Sequence, residues 1–159
     1  GLSPNHLALH PSGKYLVVAN RFSAYLSVVD TSVDREIQRI PTPYYATEIA
    51  FSASGERAWI TNRWLDSVLV YDVTERPAGG LELSLRLVPS SRYRDRLRGM
   101  AGIPVGTNPR GIVVDEASGR AFVANMPDLT ISVIDLRAER EIDVDSDSST
   151  RDRGAPSGI

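Results

Sequence analysis

A threefold internal repeat constrains this chain more than any other feature. The copies run from Pro4 to Asp30, from Ala46 to Asp72 and from Pro109 to Asp135, and each carries an asparagine in its middle, Asn20, Asn62 and Asn125. Each asparagine stands 16 positions after the first residue of its copy and 10 before the aspartate that ends it. A frame held three times without a gap defines one supersecondary unit. Such a unit cannot bury its apolar surface alone, so the copies must stack in a row or around an axis. The asparagines are spaced by 42 and then by 63 positions, so about 21 extra residues enter the second unit between Asp72 and Pro109.

Each unit holds three short apolar runs, such as Leu7 to Leu9, Leu16 to Ala19 and Leu26 to Val29, with a weaker fourth from Arg35 to Ile40. Contiguous apolar residues bounded by Gly13 and Asn20 suit strands buried on both faces and fit helical spacing poorly. Four strands per repeat of this length is the blade of a β-propeller. The expected fold is therefore all-β, a β-propeller of four-stranded antiparallel blades with three repeats present, at about 4–41, 46–88 (insertion at about 76–104) and 105–143, then a polar tail at about 144–159. Three blades make about half of a seven-bladed ring. The remaining blades are expected either in the same protein, of which this chain is a fragment, or in a second subunit that completes a six-bladed ring.

The turns have local causes. Gly13, Gly55 and Gly119 supply the positive φ that a hairpin between first and second strands needs. The repeated asparagines tolerate the left-handed region where the second strand ends. Asp30, Asp72 and Asp135 end the third strand, where a carboxylate accepts amides of the following turn, so their repetition reads as structural.

Composition narrows the function classes. The net charge of −2 argues against a nucleic-acid partner or an anionic membrane surface. No apolar run approaches the roughly 18 residues of a membrane span. The absence of cysteine removes disulfides, thiolate metal sites and covalent c-type haem attachment from this chain.

The loops that follow the repeated asparagines lie at one end of every blade. They bring Arg21, Phe22, Tyr25, Arg63, Trp64, Met126 and Asp128 toward one face, as candidate binding residues. Aromatics beside arginine make binding hot spots and meet carboxylates well. The competing account is that Phe22, Tyr25 and Trp64 cover the seams between blades. First strands line the channel of a propeller, so His6, Glu48 and Arg110 are candidate channel-facing groups, and His10 heads the first hairpin. In the insertion, Arg92, Arg94, Arg96 and Arg98 form a basic loop, either solvated or docking an anionic partner. Asp143, Asp145 and Asp147 alternate as in a calcium loop. Ser148 stands where that loop needs glycine, and Gly154 where it needs glutamate, so no metal site is expected.

The stretches Val17-Val18-Ala19-Asn20, Trp59-Ile60-Thr61-Asn62 and Phe122-Val123-Ala124-Asn125, each followed by a Ser-Val-Val-Asp-like strand, resemble the YVTN family of propeller repeats. The likeness covers residues 4 to 75 and 105 to 142. It implies a bacterial or archaeal protein, periplasmic or extracellular, serving as a scaffold for protein or ligand binding with no catalysis of its own in this chain. Ala19 to Ser23 and Asn62 to Trp64 are also similar to propellers that accompany c-type cytochrome or MauG-like di-haem domains. That likeness implies a cytochrome-type partner domain, with a haem or quinone held there and no cofactor in this chain. Lactonase-like hydrolysis is a third implication of the family, and it predicts histidines and carboxylates clustered at the channel mouth.

Overall fold

We describe a computed structural model of the chain, over residues 1–86, 88, 102–126 and 129–142. Strands β1 (Pro4–Leu9), β2 (Tyr15–Asn20), β3 (Tyr25–Asp30) and β4 (Arg35–Pro41) form the first sheet, in chain order. The second contains β5 (Ala46–Phe51), β6 (Arg57–Asn62), β7 (Ser67–Glu75) and β8 (Leu81–Leu85), with β9 (Ile103–Pro104) also paired to β7. The third contains β10 (Pro109–Asp115), β11 (Arg120–Asn125), β12 (Thr130–Asp135) and β13 (Arg140–Ile142). Every strand pair is antiparallel. No helix occurs among the described residues.

The turn glycines behave as their sequence demands, with φ of 74°, 79° and 69° at Gly13, Gly55 and Gly119. The asparagines do not. None of Asn20, Asn62 and Asn125 has positive φ; in the loops that follow, Asp66 and Leu129 take it, at φ 45° and 53°, and Ser3, Tyr45 and Asn108, at φ 54°, 67° and 55°, take it immediately before each first strand. The carbonyls of these last three accept the amides of Arg21, Arg63 and Met126 at 2.9, 3.0 and 3.2 Å. The asparagines are buried and act through their side chains. Asn62 donates to the Tyr44 carbonyl at 2.9 Å and accepts the amides of Trp64 and Leu65 at 3.1 and 3.0 Å. The loop after each second strand is thereby tied to the start of its first strand, which fixes the end of the blade where the candidate site lies.

Asp30 and Asp135 cap turns as expected, accepting the Ser32 amide at 2.8 Å and the Arg137 and Ala138 amides at 2.9 and 2.8 Å. Asp72 differs, because β7 runs on to Glu75 and leaves no turn beside it. Its carboxylate takes Arg86 Nη1 at 3.0 and 3.1 Å. The outer edge of the second sheet is shared: β8 pairs Tyr71 to Glu75, whereas β9 pairs Ser67 and Val68. The extra residues of the second unit therefore enter at two places, in the lengthened β7–β8 hairpin and between β8 and β9. Leu87, the basic loop Arg92 to Arg98 and the tail from Asp143 lie outside the described residues.

Two apolar layers hold the blades together. Between the first and second sheets Val17, Leu26 and Val28 meet Ile49, Ile60, Leu69 and Tyr71. Between the second and third, Trp59, Val68 and Val70 meet Ile112, Val123 and Ile134. First strands are neighbours, since Asn5 Nδ2 donates to the Thr47 carbonyl at 2.8 Å and Thr47 Oγ1 to that of Pro109 at 3.2 Å. The outward faces of the first and third sheets stay open, with Leu7, Leu9, Val113 and Ile131 exposed.

Candidate functional site

The loop face carries a continuous row of rings. Phe22 meets Tyr45 edge-on with centroids 5.7 Å apart, and Tyr45 stacks on Trp64 at 5.5 Å with 17° between planes. Arg21 lies 4.8 Å over the Phe22 ring. Trp64 is 71% exposed and Phe22 46%, so both rings present faces to solvent, while the Phe22–Tyr45 contact also bridges the seam between the first two blades. Tyr44, 57% exposed, flanks the row. A cleft of about 390 Å³ opens beside it, lined by Ala24, Thr42, Pro43, Tyr44, Tyr45, Trp64 and Leu65.

Tyr45 was not expected from the sequence, and it is the residue that joins the row. Ser3 and Asn108 hold the equivalent left-handed position in the other units, and both tolerate it more readily than an aromatic residue, for which positive φ costs on the order of 1 kcal/mol. Its ring contacts to Phe22 and Trp64 offset that cost. The signal was present: Tyr44-Tyr45 starts a first strand at the blade end where antiparallel second strands finish.

The other expected residues are placed as follows. Tyr25 stands apart from the row, its ring 4.8 Å below the Arg39 guanidinium of β4. Arg63 precedes Trp64 and is half-buried. Met126 is exposed at the position equivalent to Arg21 and Arg63 on the third sheet. Asp128 lies outside the described residues.

On the inner strands, His6 Nε2 is 3.9 Å from Glu48 Oε1, and His6 Nδ1 accepts the Ile49 amide at 3.3 Å. In neutral His6 that places the proton on Nε2, facing Glu48. Arg110 gives its carbonyl to Thr61 Oγ1 at 3.0 Å, while its Nε is buried with no partner among the described residues. His10 is buried in the first seam, with Nδ1 2.8 Å from Ser12 Oγ and Nε2 3.1 Å from the Gly55 carbonyl. Among the described residues no three histidines or carboxylates gather as a metal site. On the opposite side of the second seam, Arg86 bridges Asp72 and Glu139, both at 3.0 Å. Asp72 is the first cause that raises the Arg86 pKa, and Glu139 adds to it.

No family model matches the sequence, and no curated protein matches it. Solved structures do. Hydrazine synthase of Kuenenia stuttgartiensis aligns over 88% of this chain and 34% of its own, at 21% identity and TM-score 0.64. A 6-phosphogluconolactonase-like protein of Bacteroides fragilis aligns over 89% and 38%, at 18% identity and TM-score 0.64. The β-propeller domain of Cps50 (Swd1) from Myceliophteria thermophila aligns over 87% and 42%, at 9% identity and TM-score 0.61. The chain is a partial β-propeller. It spans roughly two-fifths or less of these relatives' length. Enzymes and scaffolds both stand among them, so the propeller is shared and the function is not.

Proposed function

We propose that this propeller sector is a binding scaffold of the YVTN type, exported, whose Arg and aromatic loop face receives a partner protein or ligand. One observation carries the reading: Phe22, Tyr45 and Trp64 form a ring row whose outer members remain substantially exposed beside an apolar cleft. Rigid, exposed aromatics next to arginine are the composition of interface hot spots. The likeness to hydrazine synthase supports a second reading, in which the sector docks a redox domain. Under it the chain contributes docking and electrostatics to a haem or quinone held elsewhere, and the sequence offers no cysteine for covalent haem attachment.

The test is site-directed photo-crosslinking in the source cell, with a benzophenone side chain replacing Trp64 and, as control, Lys14 at the other end of the blade. Discrete adducts at position 64 and none at 14 are expected. Equal labelling at the two positions, or none at 64, would refute the binding face.

A further inference from the structure

We propose that the seam between the first two blades is a docking groove for an extended, proline-rich segment bearing acidic residues beside its prolines. This rests on the reading of the loop face as a binding surface, and it names the ligand. Two apolar clefts adjoin along the seam. The first, about 390 Å³, has Tyr44, Tyr45 and Trp64 on its wall. The second, about 460 Å³, runs toward the outer strands between Ile40, Tyr71, Leu83 and Leu85. Ala24, Thr42 and Pro43 border both. A polyproline II helix has three residues per turn and rises about 3.1 Å per residue, so prolines one turn apart lie about 9 Å from each other and can enter neighbouring clefts.

Hydrogen bonding favours the same ligand. A polyproline II segment makes no internal hydrogen bonds, so its carbonyls need outside donors. Tyr44, Tyr45 and Trp64 line the groove, and their side-chain donors, two hydroxyls and an indole N–H, make no hydrogen bond among the described residues. Other ligand classes meet obstacles. A saccharide needs many polar side chains, yet the Thr42 hydroxyl is already engaged by Tyr71 at 2.9 Å. A quaternary ammonium suits an aromatic cage but would face two guanidiniums, Arg21 over Phe22 and Arg63 beside Trp64. Neither arginine makes an ion pair among the described residues, and guanidinium groups pair well with the carboxylates of such a segment.

The experiment titrates the chain with a synthetic peptide of two Pro-Pro-Leu-Pro units preceded by two aspartates, following tryptophan emission. Trp59, the other tryptophan, is buried and gives a fixed background against exposed Trp64. A saturable blue shift is expected, lost when glycines replace the prolines and weakened about tenfold when lysines replace the aspartates. Tyr44→Ala, at an exposed side chain, should weaken binding by a similar factor with the unfolding midpoint unchanged. Absence of saturation, or equal binding by the glycine or lysine peptide, overturns the proposal. Crosslinking at position 64 alongside a failed titration would overturn only the ligand class, whereas failure of both would overturn the binding face as well.

Discussion

Replacing Asn62 with alanine removes three hydrogen bonds at once. The side chain is fully buried, and it serves the Tyr44 carbonyl and the Trp64 and Leu65 amides at 2.9, 3.1 and 3.0 Å. A typical bond of this kind contributes about 1 kcal/mol net, so Asn62→Ala should cost about 3 kcal/mol. Asn20 makes one good bond, to Ser27 Oγ at 2.9 Å, and one long one, to the Tyr25 carbonyl at 3.4 Å. Asn125 bonds Ser132 Oγ at 2.9 Å and Thr130 Oγ1 at 3.2 Å. Alanine at either should cost about 2 kcal/mol. Urea unfolding measures the series. With a slope of about 2 kcal/mol/M, Asn62→Ala lowers the midpoint by about 1.5 M and the other two by about 1 M, at unchanged slope. Trp64 emission should shift in the native baseline of Asn62→Ala alone, because only that asparagine holds the Trp64 amide. A loss below about 1 kcal/mol at Asn62, or equal losses at all three positions, would refute the claim that these side chains tie the loop face to the blades.

Other substitutions separate local from seam effects. Gly13→Ala meets no atom nearby and should cost about 1 kcal/mol for its positive φ, whereas a Cβ on Gly55 would sit 2.5 Å from His10 Nε2, so Gly55→Ala should cost at least about 2 kcal/mol by thermal unfolding. Thr61→Val removes the hydroxyl that accepts the Glu48 amide and donates to the Arg110 carbonyl, both at 3.0 Å, and should destabilise by about 2 kcal/mol while the Glu48 amide exchanges faster with deuterium. Asp30, Asp115 and Asp135 have pKa values lowered below 3.8, chiefly by bonds from Ser32, Ser118 and the Ala138 amide respectively. A lowered folded pKa adds stability above the unfolded value that is lost as pH falls through the folded one. The contribution of these carboxylates to the unfolding midpoint should therefore hold constant at neutral and mildly acid pH and decline only below 3.8; a decline beginning well above that value would contradict the turn-cap assignment.

The repeat made the strands, the turn glycines and the blade architecture legible, because each depends on residues close in sequence. Contiguous apolar runs dictate strands buried on both faces, and Gly13, Gly55 and Gly119 fix where they reverse. The face that carries Arg21, Phe22, Arg63 and Trp64 also follows from the repeat, since equal positions must share one end of the blades. Two local inferences failed for local reasons. The repeated asparagines are not themselves left-handed, that conformation falling on Asp66 and Leu129 later in their loops and on Ser3, Tyr45 and Asn108 before the first strands, and Asp72 lost its turn when β7 lengthened. Only the tertiary structure decided which loop residues touch. Tyr45 reaches both Phe22 and Trp64 because the first blade's loop packs beside the start of the second, whereas Tyr25 turns to Arg39 on its own outer strand. Contacts across a seam depend on the twist and separation of two sheets packed through their apolar faces. Those are set by side chains far apart in the chain, such as Val17 and Ile60 in the first seam and Trp59, Ile112 and Val123 in the second, and no local pattern in the chain encodes them.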